Sequence, residues 1–237
     1  MQIGHDTTIT YLGHSTFIVD TPGGKRILLE PWVMNNPKCP DNLKQLGNVD
    51  LVLISHGHSD HMGDATQILQ QTGATCIGIF EICTWLGSKG IQNTSPMNKG
   101  GTQRIGDIKV TMVHAVHSSS VVDDGELIPG GEAAGYVIEL ENGFKIYHAG
   151  DTAVFSDMQL VGELYKPDLC MLPIGDHFTM GPREAAMATK LLGTTQVIPM
   201  HYGTFPVLTG TPEEFRNMVG DIGGVQVLDI RPGESLK

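Results

Sequence analysis

The chain has 237 residues, 40 % of them apolar, and carries a net charge of −11 from 15 Lys and Arg against 26 Asp and Glu. That length supports a single large domain whose core needs no disulfide staples. The acidic balance argues against long nucleic acid as a partner, because such binding rests on Lys and Arg neutralising phosphates; a small anionic substrate is compatible if a bound cation supplies positive charge.

The four cysteines (Cys39, Cys76, Cys83 and Cys170) contain no CxxC pair, and Cys76 and Cys170 lie in apolar runs that read as buried. Met1-Gln2-Ile3-Gly4-His5-Asp6 has neither the basic nor the apolar region of a secretion signal, and no apolar run approaches the roughly 20 residues of a membrane span. The expectation is a cytoplasmic protein with reduced thiols and no membrane association.

In chain order, Thr8 to Tyr11 and Thr16 to Val19 read as strands joined by Gly13-His14, and Arg26 to Leu29 follows the turn Pro22-Gly23-Gly24. Asn35 to Gly47 reads as loop with one helical turn. Val49 to Ile54, continuously apolar apart from Asp50, reads as a buried strand. Asp64 to Gln71 reads as a short helix capped by Asp64, Thr75 to Ile79 as a strand, Phe80 to Gly87 as a helix and Ser95 to Gly101 as loop. Gly101 to Arg104 and Ile108 to His114 read as a hairpin, and Ser118 to Gly131 as a mobile loop able to cover a site. Ala134 to Glu139 and Phe144 to His148 read as a second hairpin. Then come a helix over Phe155 to Leu164, a strand over Leu169 to Ile174, a helix over Pro182 to Leu192, a strand over Gln196 to Met200, a helix opened by Thr211-Pro212-Glu213-Glu214 and ending near Gly220, and a last strand over Val225 to Asp229. Strands followed by strand–helix alternation occur twice, with halves meeting near residue 105. One domain, residues 1–237, built of two sheets with helices outside, is the simplest packing.

Chemistry concentrates in Ser55 to Asp64, which packs His56, His58, Asp60 and His61 just past a strand's carboxyl end. Imidazole and carboxylate at that density suit Zn²⁺, and less exclusively Mn²⁺, Ni²⁺ or Fe. Three later candidates also stand at strand exits. His117 opens His-Ser-Ser-Ser; His114, three residues earlier, points to the other side of an extended chain. Asp151 follows the small pair Ala149-Gly150, and His201 follows Val197-Ile198-Pro199-Met200. His56, His58 and His117 would hold one cation and Asp60, His61 and His201 a second, with Asp151 shared, so that two divalent ions activate water for hydrolysis.

His56-Gly57-His58-Ser59-Asp60-His61, followed by His117, Asp151 and His201, resembles the metallo-β-lactamase superfamily. Within it, Leu12-Gly13-His14-Ser15-Thr16-Phe17, the stretch Gly175 to Pro182 and the stretch Pro199 to Pro206 resemble the UPF0173-type metal-dependent hydrolases related to the ascorbate-6-phosphate lactonase branch. The resemblance implies an α/β fold, a four-layer αβ/βα sandwich of two mixed sheets with helices on the outer faces and a dinuclear site at one edge. It implies a hydrolase acting on an ester-like bond (phosphodiester, lactone or thioester), with a phosphodiesterase on small nucleotides or RNA and a non-catalytic metal-binding protein as the alternatives. β-Lactamases proper carry Cys where Asp151 stands, redox diiron members carry Glu where His58 stands, and tRNA-processing members add a basic arm that this chain lacks. By similarity to the latter, His177 is the candidate general acid, modulated by Asp176. Asp60 is both a ligand and a catalytic candidate. His14, Glu30, His148 and Tyr202 are candidates to orient ligands or touch substrate; Glu30-Pro31 replaces the usual Asp-Pro. Relatives assemble into several sizes, so a homo-oligomer fits the resemblance.

Overall fold

Apolar runs separated by turn residues fold into two seven-stranded sheets in the computed structural model, which describes residues 6–220 and 222–237. Met1–His5, within the stretch searched for a secretion signal, and Asp221 lie outside the described residues. The first sheet begins as an antiparallel meander of β1 (Thr8–Gly13), β2 (Thr16–Asp20) and β3 (Arg26–Leu29). It continues in parallel through β4 (Leu51–Leu53), the one-turn helix α1 (Ser59–Met62), α2 (Ala65–Thr72), β5 (Thr75–Ile79), α3 (Phe80–Ser88) and β6 (Thr94–Met97).

The second sheet repeats the plan. β7 (Thr102–Ile105) and β8 (Ile108–His114) pair first, and a separate hairpin of β9 (Ser120–Asp123) and β10 (Glu126–Pro129) intervenes. Then follow β11 (Ala134–Glu139), β12 (Lys145–His148), α4 (Met158–Tyr165), β13 (Leu169–Pro173), α5 (Pro182–Leu192), β14 (Gln196–Met200), α6 (Pro212–Val219) and β15 (Gln226–Val227). The pairs β8–β11 and β11–β12 are antiparallel, and β12 through β15 run parallel. β16 (Ser235–Leu236) returns to the first sheet and pairs with β1. The result is an α/β sandwich of two mixed sheets with helices outside. Among the described residues no helix is long and apolar enough to cross a membrane.

β4 and β13 are buried along their whole length, as parallel strands covered on both faces must be. α5 starts on Pro182 at its first turn and stops at Gly193 in the left-handed conformation. α6 carries a reciprocal Thr211–Glu214 capping box. The sheets are stitched together beside the carboxyl end of β4: Tyr136 Oη, fully buried on β11, donates to Ile54 O at 2.7 Å, and Ala134 N donates to Ser55 O at 3.0 Å. A buried phenol without that acceptor would cost about 1–3 kcal/mol.

Several expectations need correcting. Ser95 to Met97, expected as the beginning of a loop, belong to the edge strand β6; Pro96 is tolerated there because β6 has a neighbour on one side only. Ser118 to Gly131 is largely a hairpin rather than a mobile loop. Asp124 and Gly125, both at positive φ (49° and 84°), make its tight turn, and Val121 is buried beneath it. Asp123 then pins the hairpin to α3 by accepting from Trp85 Nε1 at 2.9 Å and Lys89 Nζ at 2.6 Å. Asp64 makes no side-chain cap on α2; its carboxylate accepts from Val33 N at 2.6 Å and Asn35 N at 3.2 Å instead, holding the segment after β3. The helix expected from Phe155 starts at Met158, the strand expected over Val49 to Ile54 spans only Leu51–Leu53, and β15 is shorter than Val225 to Asp229.

A candidate metal centre

The carboxyl ends of four strands converge on one edge of the sandwich. β4 leads into His56 and His58, and α1 carries Asp60 and His61 one turn later. β8 leads to His117, β12 to Asp151 and β14 to His201, while the β1–β2 turn supplies His14 and the end of β3 supplies Glu30. Three of these residues hold left-handed backbone: His14 (φ 60°), Glu30 (56°) and His201 (55°). Each such residue costs about 1–3 kcal/mol and persists only where surrounding contacts over-determine it. Gly150 (φ 62°) has no freedom to change either. A Cβ there would lie 2.6 Å from Ala134 O and 2.8 Å from Ser55 Cβ, so glycine lets the chain turn sharply and drive Asp151 inward.

Asp151 is the hub. Its Oδ2 lies 2.9 Å from His201 Nε2, 3.2 Å from His61 Nε2, 3.7 Å from His117 Nε2 and 3.8 Å from His56 Nε2. Yet His61 Nε2, His201 Nε2 and Asp151 Oδ1 are buried without a hydrogen-bond partner. Buried polar atoms left unpaired beside one another are what a set of donors around a cation requires. His56 Nε2 and His58 Nδ1 approach to 3.0 Å, and the His117 ring stands 5.0 and 5.1 Å from those of His56 and His58. Donor atoms of His56, His58 and His117 lie within 4.8 Å of one another; so do those of His14, Asp60, His61 and His201. The donor set fits bound metal ions.

Behind the donors, one carboxylate reaches both groups. Glu30, 1 % exposed, accepts from Ser55 N at 2.9 Å through Oε1, and from Ser55 Oγ at 3.0 Å and His61 Nδ1 at 2.8 Å through Oε2. Ser55 Oγ also lies 2.9 Å from His56 Nδ1. If the serine hydroxyl gives its proton to Glu30, its oxygen accepts from His56 Nδ1, and both imidazoles keep a free lone pair on Nε2. Ser118 Oγ lies 3.4 Å from His58 Nε2 and leaves Nδ1 for the cluster. His148 joins two backbone segments: Nε2 meets Ser15 O at 3.0 Å and Nδ1 accepts from Gly150 N at 3.2 Å.

Electrostatics favour donors ready to bind. Burial, aided by neighbouring imidazoles, holds His56, His58 and His117 below the ordinary histidine range, so they stay neutral. Burial pushes His14 down to about 4. Burial also opposes charge on His61, but the Asp151 and Glu30 carboxylates outweigh it and raise its pKa when no cation is present. Burial would raise Asp60 and Asp151, yet the His14 hydrogen bond and the surrounding imidazoles hold both below the carboxylate range.

The remaining candidates fall at greater remove. His177 and Asp176 are exposed, both at positive φ, on the loop after β13. Asp176 Oδ1 accepts from His177 N at 2.7 Å, and among the described residues no hydrogen bond or ring contact joins the His177 ring to the cluster. The loop is nevertheless anchored beside Asp151, because Met180 N donates to Thr152 O at 3.1 Å. Tyr202 turns into a cleft of about 110 Å³ with Tyr11, Lys38, Gly203 and Pro232. His114 is exposed and paired with Lys99 Nζ at 3.0 Å. Ser55, Ser118 and Thr204 touch the histidines without having been singled out in sequence; a hydroxyl beside a ligand is the only signal they carry.

The chain is similar to known proteins along nearly its whole length. Residues 8–201 match the family model described as the beta-lactamase superfamily domain. A UPF0173 metal-dependent hydrolase of Rubrobacter xylanophilus is 54 % identical over 232 residues, covering 97 % of this chain and 96 % of that one. A protein of the same name from Methanopyrus kandleri is 47 % identical over 228 residues, covering 96 % and 98 %. Among solved structures, Igni18, a metallo hydrolase from the hyperthermophilic archaeon Ignicoccus hospitalis, superposes with a TM-score of 0.87 at 39 % identity over 97 % of both chains.

Proposed function

Since the chain belongs to the beta-lactamase superfamily and is a metal-dependent hydrolase of that fold, we propose that it holds two divalent cations and hydrolyses an ester-like bond, phosphodiester, lactone or thioester, in a small anionic substrate. The observation that carries this reading is Asp151, whose Oδ2 lies within 3.8 Å of four imidazole nitrogens from both halves of the cluster, with the facing Nε2 atoms of His61 and His201 unpartnered.

His56, His58 and His117 would hold one ion, Asp60, His61 and His201 the other, and Asp151 would be shared. Such a pair supplies a water activated at neutral pH and positive charge for the oxygen that becomes negative. Zn²⁺ suits imidazole and carboxylate best, with Mn²⁺, Ni²⁺ and Fe close behind. The chain's own part is positional. Glu30 and Ser55 fix the imidazole tautomers, and Asp151 is kept ionised by its neighbours. His177, with Asp176 beside it, is proposed as the general acid by similarity of motif position alone; its loop is anchored to Thr152, while its exposed ring makes no contact with the cluster among the described residues.

The test is metal analysis of the purified chain joined to a screen of phosphodiesters, lactones, thioesters and β-lactams, with His61→Ala and Asp151→Ala as controls. Two ions per chain and turnover of an ester class, lost in both variants, are expected. One ion per chain, or activity that survives both substitutions, overturns the reading.

A further inference from the structure

We propose that His14 is a positioning residue for one cation only, the one assigned to Asp60, His61 and His201, and that it acts through a Thr204–His14–Asp60 hydrogen-bond relay. The role rests on the two-cation reading above.

His14 is completely buried in the left-handed turn between β1 and β2. Its Nε2 lies 3.1 Å from Asp60 Oδ2 and its Nδ1 lies 3.0 Å from Thr204 Oγ1. An ionised carboxylate only accepts, so Nε2 carries the proton; in the neutral ring Nδ1 then accepts, and the Thr204 hydroxyl donates to it. The relay therefore runs in one direction, from hydroxyl to imidazole to carboxylate. With Nε2 committed to Asp60, His14 influences the site through that carboxylate rather than as a ligand.

The backbone holds the relay in place. His14 O accepts from Tyr11 Oη at 2.9 Å and from His201 N at 2.7 Å, so the turn is bonded to the start of the segment that bears both His201 and Thr204. Trp32 and Phe205 close around the ring at 5.2 and 5.6 Å. Asp60 needs such a partner: it sits on a four-residue helix, and its side chain is 25 % exposed.

Selectivity follows from what the ring touches. It packs 4.0 Å from the His201 ring and 5.5 Å from the His61 ring. Among the described residues no hydrogen bond or ring contact joins His14 to His56, His58 or His117. Loss of the relay should therefore weaken one cation and spare the other.

The experiment titrates Zn²⁺ into the chelator-treated full chain in competition with a chromophoric chelator, and repeats the titration with Co²⁺ to read each site's visible spectrum. Losing a partner behind a ligand weakens metal binding by about 10–100-fold. His14→Phe is expected to weaken one of the two equivalents by that factor, leave the other within about threefold and alter a single Co²⁺ band. His14→Gln, whose amide can donate to Asp60 and accept from Thr204, should recover most of the loss. Thr204→Val, nearly isosteric, should weaken the same equivalent by a smaller factor, and it keeps the test open if His14→Phe fails to fold. Equal weakening of both equivalents, no weakening in His14→Phe or in Thr204→Val, or a His14→Gln as impaired as His14→Phe, overturns the role. A wild-type chain that takes up only one ion instead overturns the two-cation reading.

Discussion

Glu30→Gln exchanges one oxygen of a buried carboxylate for an amino group of the same size. The native carboxylate receives three hydrogen bonds, from Ser55 N, Ser55 Oγ and His61 Nδ1, at 2.9, 3.0 and 2.8 Å. The amide keeps one acceptor. Its better placement faces Ser55 Oγ and His61 Nδ1, which turns the NH₂ toward Ser55 N and sets donor against donor at a buried position. A bond to a charged acceptor contributes about 1.5–3 kcal/mol, and a buried donor left unpaired costs about 1–3 kcal/mol. Relief from burying a charge offsets part of this, leaving a loss of about 2–4 kcal/mol. For a chain of this size that lowers the melting temperature by roughly 4–16 °C. The tautomers of His56 and His61 survive, so metal affinity should fall less than stability does. Glu30→Ala is different: it releases both imidazoles and should weaken both cations by about 10–100-fold. Thermal melting in chelator, followed by Zn²⁺ titration, checks both variants. The reasoning fails if Glu30→Gln melts within about 2 °C of wild type, or if Glu30→Ala weakens only one cation.

The metal-free protein should lose stability on mild acidification. Buried His14 has a pKa of about 4 against 6.5 in the unfolded chain, so its contribution is complete above pH 6.5 and is lost as pH falls toward 4, by about 3 kcal/mol in all. His56, His58, His117 and His148, lowered mainly by burial, act in the same direction. His61, raised by Asp151 and Glu30, opposes them, since its pairing is complete below pH 6.5 and lost at higher pH. Urea midpoints in chelator should therefore fall between pH 7 and 4.5, and a flat profile contradicts the assignment. Gly57→Ala would set a Cβ 2.8 Å from Ser120 O and should push the β9–β10 hairpin away from His58; a crystal structure of the variant with the hairpin unmoved rejects this. Asp123→Ala removes the bonds to Trp85 and Lys89. Limited proteolysis should then cut at the Asp124-Gly125 turn several-fold faster, and an unchanged rate shows that the hairpin is held elsewhere.

The converging residues were legible because their chemistry is unusual for their positions: imidazoles and acids stand where strands end, and a strand's exit fixes where a side chain points. Less legible were the residues that support them. Glu30 and His14 occupy left-handed backbone that nothing in their side chains announces, and Ser55 and Thr204 look like ordinary polar neighbours. Asp64 has the chemistry of a helix cap, but a carboxylate serves any donor in reach, and the loop at Val33 reaches it first. Ser118 to Gly131 resembles a solvent loop because its acids and glycines suggest water contact. The Asp124-Gly125 turn and the inward Val121 were the better signals. β16 has two residues and too little pattern to be seen.

That last strand bears on how the protein is made. β1 pairs on one side with β2 and on the other with residues 235–236, so during synthesis the edge beside the His14 turn stays open until residues 235–236 have emerged. An unpaired edge is a template for pairing with a neighbouring chain, and synthesis at about 5–20 residues per second gives that edge many seconds of exposure. A chain cut short before residue 235 would therefore carry every metal donor and an unfinished first sheet.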